Sequence, residues 1–232
     1  MNTPPHLDAG RIYRLAPFEE VVTELRKTLA ASVVPGVAGG NGLYVLLGEG
    51  GATVATFDHA ALTARRTPAV SALATDALAR DEVRRLAVFG TDVQAREHVR
   101  AMRWIRPSLE QIEIVGREPV ATERFVAMLR GEGHPAVVAS AADASSADLI
   151  CTCTSSPEPM LIGEKVAAGT HINAVGCGEL PTGRVVDDLV ALARGQVRRE
   201  SADEVTIFVP PGLAVEDLVV ATLAARNAGL ID

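Results

Sequence analysis

From about Arg84 to Val186, short apolar runs alternate with segments of helical periodicity: LAVFG, VQAREHVRAMRWI, IEIVGR, ATERFVAMLRGEG, AVVA, DLICTCT and THINAVG. Strands separated by a helix cannot pair as hairpins; each crossover returns the chain in the same direction and with right-handed sense, which builds a parallel sheet covered on both faces. The apolar runs are nearly continuous rather than alternating, as strands buried on both sides require. A doubly wound α/β domain follows. Composition agrees, because 48% hydrophobic residues with only 3% aromatics leaves Val, Leu, Ile and Ala to fill the core, a mixture suited to strands packed by Ala-rich helices.

The flanks read differently. In FEEVVTELRKTLAAS, Val21, Val22, Leu25 and Leu29 recur at helical spacing. The Gly- and Pro-rich VVPGVAGGNG follows, then LYVLL and ATVATF around EGG, a hairpin. Asp58 can cap HAALTARR, and Thr67-Pro68 reads as a second helix start, so two helices are expected to meet at Arg66-Thr67. Leu218, Val219, Leu223 and Ala225 give the tail a helical face that can return to the first segment. The expected organisation is a small α+β domain from residues 1–80 and 209–232 around a doubly wound domain at 81–208.

Net charge is −7, and the basic residues are scattered arginines, with Lys27 and Lys165 the only lysines. A nucleic-acid groove needs a concentrated positive field, so no nucleic-acid partner is expected. No apolar run approaches the roughly 20 residues of a membrane span. MNTPPHLDAGRIYRL lacks a basic stretch followed by an apolar one, which points to a cytoplasmic setting. Cys151, Cys153 and Cys177 are an odd count without CxxC spacing, so neither a disulfide framework nor a metal site, even with His171, is expected. Cys151 and Cys153 read as small apolar core residues, whereas Cys177, in the exit loop of its strand, is a candidate activated thiol with His171 or Glu179 as its base.

Chemistry is expected first at the turn Gly90-Thr91-Asp92-Val93-Gln94-Ala95, where a strand runs through glycine into a helix. Such a Rossmann-like turn aims backbone N–H groups and a positive helix end at an anion, usually a dinucleotide pyrophosphate. The fingerprint GxGxxG/A keeps its first Gly and last Ala here but has Asp92 in the middle position. A carboxylate there opposes close phosphate approach unless it turns outward. At the end of the next strand, Gly116-Arg117 offers a guanidinium and no carboxylate, which favours NADP(H) over NAD(H).

Five stretches, LTARRTPAVSALA, FGTDVQAR, DLICTCTSSPEPML, HINAVG and TIFVPPGLAVEDL, together resemble the ornithine cyclodeaminase/mu-crystallin family in kind and in order. The resemblance implies a Rossmann domain joined to a substrate and dimerisation domain, hence a homodimer, and a small carboxylate-bearing amino or imino acid as substrate. It implies that Arg66 binds the substrate carboxylate and that Thr67 touches the cofactor. It further implies that Gly90, Thr91, Asp92, Val93 and Gln94 form the phosphate turn and that Thr152, Thr154 and Val175 line the nicotinamide pocket.

The departures from the family are as specific. The family's lysine-bearing strand before the hairpin is replaced by VVPGVAGGNG, and Gly178 stands where the family has an aspartate, Glu179 being one residue on. VVDDLVALARGQV is short for the closing strand and helix of the Rossmann half, so the sheet is expected to lack its last strand. Two readings stand. In one, the chain is an NADP(H)-dependent reductase or dehydrogenase of a small imino or amino acid, with Arg66 holding the carboxylate and Glu179 or Cys177 supplying the proton. In the other it binds no nicotinamide cofactor and is a lyase or cyclase, or a non-catalytic ligand-binding partner.

Overall fold

The computed structural model describes residues 3–31, 42–154, 160–176 and 179–232. In chain order the elements are β1 (His6–Leu7), α1 (Ala9–Leu15), α2 (Phe18–Ala30), β2 (Leu43–Leu47), β3 (Thr53–Asp58), α3 (His59–Leu78), β4 (Arg85–Phe89), α4 (Val93–Ile105), β5 (Gln111–Val115), α5 (Pro119–Gly131), β6 (Ala136–Val138), α6 (Ala141–Ala144), β7 (Leu149–Cys153), β8 (His171–Gly176), β9 (Arg184–Val186), α7 (Leu189–Ala193), β10 (Thr206–Phe208) and α8 (Ala214–Asn227). The chain separates into two compact units, Met1–Val70 with Gly212–Asp232, and Ser71–Pro211, with the first boundary inside α3.

In the first unit, β2 and β3 form the expected antiparallel hairpin, and β1, too short to carry a pattern, adds to β3 in parallel. Helix α2 buries Phe18, Val21, Val22, Leu25 and Leu29, the stripe its spacing required. Helix α8 packs against α1, α2, β2 and β3. Asn227 secures it by donating from Nδ2 to the Leu15 carbonyl at 2.8 Å and to Glu20 at 2.8 Å.

The expected break at Arg66-Thr67 is corrected: α3 is one helix of 20 residues with Pro68 inside it. Asp58 does cap its start, accepting the Ala61 N–H at 3.0 Å. An interior proline removes a helix hydrogen bond and costs on the order of 3 kcal/mol in an exposed helix. Here Ala64, Thr67, Ala69, Val70, Ser71 and Ala72 are all buried, and burial on both sides of Pro68 outweighs the local signal.

The second unit holds a seven-stranded sheet in the order β6-β5-β4-β7-β8-β10-β9. Every neighbouring pair is parallel. The expectation of a missing last strand is corrected, because β10 pairs with β8, and β9 extends the edge. Both strands have three residues, too few for a period to show. The order reverses at β4: β5 and β6 lie to one side of it, β7 and β8 to the other. Open α/β sheets bind ligands at the carboxyl ends of the strands beside such a reversal.

Candidate functional site

At the carboxyl end of β4, Gly90 has φ 135° and donates its N–H to the Val115 carbonyl at 2.9 Å. A Cβ on Gly90 would stand 2.4 Å from the Cys153 carbonyl oxygen, so only glycine lets this turn lie against β7. Gly116 is also closely packed, a Cβ there falling 2.2 Å from the Thr122 hydroxyl oxygen. Both glycines line a cavity of about 150 Å³ whose wall also includes Thr91, Asp92, Arg117, Thr154 and Met160. Asp92 is the N-cap of α4, its Oδ1 accepting the Ala95 N–H at 3.0 Å. The exposed Arg117 makes no ion pair among the described residues.

The other residues expected around the cofactor are placed unevenly. Val93 is exposed, whereas the Gln94 side-chain oxygen is buried. Thr154 is on the cavity wall, but Thr152 is buried between strands, its hydroxyl 3.5 Å from the Asn173 carbonyl. Val175 is half-buried near the end of β8. Thr67 is buried in α3, in the other unit.

Glu179 is exposed and lines a second, larger cavity of about 400 Å³ with Glu164, Leu161, Leu180 and Pro181. Cys177 and Gly178 lie outside the described residues. The expected pairing of His171 with Cys177 rests on a residue outside those described; His171 itself begins β8. His171 is fully buried and shares a hydrogen bond with the Thr206 hydroxyl at 2.9 Å. Burial and the nearby Arg199 charge lower its pKa to about 3.

Cys151 and Cys153 are buried in β7. Burial pushes the Cys151 thiol up to about 12 and Cys153 well above the ordinary range, so both are unreactive core residues. Among the described residues no group of three or more His, Cys, Asp or Glu side chains could hold a metal ion.

His98 is fully buried in α4. Its Nδ1 is 2.8 Å from the Gln94 carbonyl, which can only accept, so Nδ1 carries the proton and Nε2 accepts from the Ser71 hydroxyl at 3.1 Å.

In the first unit, Arg66 of α3 meets two carboxylates of α8. Its Nη1 donates to Glu216 Oε2 at 2.6 Å, and its Nε lies 2.7 Å from Asp217 Oδ1. Glu216 also accepts the Leu213 N–H at 3.0 Å, capping α8. Glu216 is therefore a cap that lies fully buried rather than on the surface. Burial pushes its carboxyl up, with the Leu213 N–H and Arg66 opposing. An acidic residue at the third position of a helix signalled the cap; nothing in the sequence signalled that 150 residues separate Glu216 from its cation.

Known proteins supply an independent measure. The model of the ornithine cyclodeaminase/mu-crystallin family matches residues 43–194. Mouse ketimine reductase mu-crystallin is 32% identical over 75% of this chain, and the match spans 64% of that protein, just under two thirds of its length. Alanine dehydrogenase of Archaeoglobus fulgidus is 30% identical over 78% of this chain and 68% of that protein. The Delta(1)-pyrroline-2-carboxylate reductase of Paracoccus denitrificans is 27% identical over 85% and 75%. Among solved structures, Thermococcus litoralis Delta(1)-pyrroline-2-carboxylate reductase, in complex with NADH and L-proline, shares the fold at a TM-score of 0.82 with 21% identity, covering 97% of each chain. With the family model covering the hairpin, α3 and most of the parallel sheet, the chain belongs to the ornithine cyclodeaminase/mu-crystallin family.

Proposed function

We propose that the chain is an NADP(H)-dependent reductase of a small imino acid. The observation that carries this reading is the cleft at the sheet reversal, which Gly90 and Gly116 line and where Arg117, just past the end of β5, presents a guanidinium with no ion pair among the described residues. Two kinds of relative, a ketimine reductase and pyrroline-2-carboxylate reductases, support it.

The cleft fits a dinucleotide at three points and opposes it at one. Gly90 and Thr91 would face the phosphates, Arg117 a 2′-phosphate, and Thr154 the nicotinamide side. Asp92 brings a carboxylate to the same turn, although its side chain bends back onto Ala95. When bound, the nicotinamide supplies the hydride. Arg66 would hold the substrate carboxylate, and Glu179, an exposed carboxyl beyond β8, would hold the proton for the substrate nitrogen, with Cys177 as the other candidate. We further propose a homodimer, in keeping with the archaeal alanine dehydrogenase dimer among the structural neighbours.

Calorimetric titration with NADPH and with NADH tests the reading. Binding of NADPH on the order of micromolar, with NADH weaker, is expected. No heat from either nucleotide removes it.

A further inference from the structure

The two carboxylates that meet Arg66 differ in access. Glu216 has no exposed side-chain surface, whereas Asp217 keeps 14% and Arg66 keeps 17%. Glu216 is hydrogen-bonded through both oxygens, one to Leu213 and one to Arg66. Asp217 is held more loosely. Its Oδ1 and the Arg66 Nε are 2.7 Å apart and buried, yet neither atom makes a hydrogen bond among the described residues. Its Oδ2 is 3.8 Å from His59 Nε2. The adjoining Tyr44 ring stacks on His59 at 6.5 Å, and its buried hydroxyl has no hydrogen-bond partner among the described residues either. Burial, and then the charge of Asp217, raise that hydroxyl to about 12, so it remains a proton donor.

One charge therefore fixes Arg66 and the other merely neutralises it. With both carboxylates ionised, Arg66, Glu216 and Asp217 sum to one negative charge, which repels a bare carboxylate. A zwitterion does not face that penalty, since it brings a cation for Asp217 together with an anion for Arg66.

We propose that the Arg66–Asp217 pair is the seat of an α-imino or α-amino acid in its zwitterionic form, with the ligand carboxylate on Arg66 and its cationic nitrogen on Asp217. The ligand opens one misaligned internal ion pair and forms two new ones. Glu216 is the positioning residue that keeps the guanidinium in place during the exchange, and Tyr44 adds a donor that no described residue engages. Asp217 becomes the residue that selects for a positively charged nitrogen and rejects 2-oxo acids and plain carboxylic acids. The inference rests on the imino-acid reading above and adds to it the groups that recognise the nitrogen.

The test compares L-proline with cyclopentanecarboxylate, which has the same ring and carboxylate but no nitrogen. Saturation-transfer NMR titrations are run on the full chain without nucleotide. The wild type is expected to bind proline at least about tenfold more tightly, a preference worth about 1.4 kcal/mol. Asp217→Asn should cut the preference below about threefold by weakening proline alone, and Asp217→Glu should restore part of it. Glu216→Gln should weaken both ligands by a similar factor. Equal binding of the two ligands by the wild type, binding of neither, or an equal loss of both in Asp217→Asn with no rescue in Asp217→Glu would overturn the proposal. Intact proline preference without NADPH oxidation would strike the reductase reading alone.

Discussion

Asp92 caps the helix it opens: its Oδ1 accepts the Ala95 N–H at 3.0 Å, at the helix end that phosphate-binding turns keep for an anion. The carboxylate stabilises α4, since an Asp cap is worth about 1 kcal/mol, but it places a negative charge beside the cleft. Asp92→Gly should therefore tighten NADPH about tenfold while costing only about a few tenths of a kcal/mol in stability, because glycine is itself tolerated at an N-cap. Calorimetry and a thermal melt on the same preparation measure both effects. Unchanged affinity would mean that Asp92 lies clear of the nucleotide.

Arg117 and the rest of the cleft make a second expectation. A guanidinium on a 2′-phosphate is a charge-assisted contact worth about 1.5–3 kcal/mol. Arg117→Ala should weaken NADPH by roughly ten- to a hundredfold and leave NADH within about twofold. The gap between the two nucleotides should also shrink with added salt, since Arg117 is exposed. Equal losses for both nucleotides would assign Arg117 to a contact they share.

Much of this architecture was legible because the signals were local. The helix read from VQAREHVRAMRWI coincides with α4 at Val93–Ile105, where a glycine turn, an Asp cap and a continuous period agree. Residues Leu189–Ala193 and the strands β9 and β10 were harder, since three-residue strands are stabilised by the neighbour they pair with rather than by their own pattern. Pro68 misled for a related reason: its local preference for a helix start is overridden by the buried residues on both sides of it. At the candidate site, the glycines and Arg117 could be found by position in the fingerprint. The Arg66–Glu216 pair could not, since it exists only through the return of α8 to α3.

Buried histidines give the fold an acid limit. Burial lowers His98 to about 4 and His171 to about 3, from an ordinary 6.5. The unfolded chain takes up protons at these sites below pH 6.5 while the folded chain resists, so stability is greatest above that value and falls as pH drops toward 4. One pKa unit corresponds to about 1.4 kcal/mol, so the combined loss is on the order of several kcal/mol. Urea unfolding from pH 7.5 to 4.5 should show the decline. In His98→Gln, which keeps a donor and an acceptor for Gln94 and Ser71, the slope should be shallower. A pH-independent midpoint in the wild type would contradict the burial of both rings.

Arg199 ties the approach to β10 onto the end of α3. It donates from Nε to the Leu78 carbonyl at 2.7 Å and from Nη2 to the Gly169 carbonyl at 3.1 Å and the Thr206 hydroxyl at 3.3 Å. Its own backbone N–H donates to the Ala77 carbonyl at 3.0 Å. One planar fork thus serves acceptors from three segments, a geometry that a lysine ammonium cannot reproduce. Removing it takes a donor from the Gly169 carbonyl, while Leu78 keeps the Thr206 hydroxyl at 3.0 Å, and each buried group left unsatisfied costs about 1–3 kcal/mol. Arg199→Ala should lower stability by about 3 kcal/mol, and Arg199→Lys should recover less than half of that. Denaturant midpoints for the two variants decide the point: full recovery by lysine would show that charge alone, rather than the fork, holds β10 at its place in the sheet.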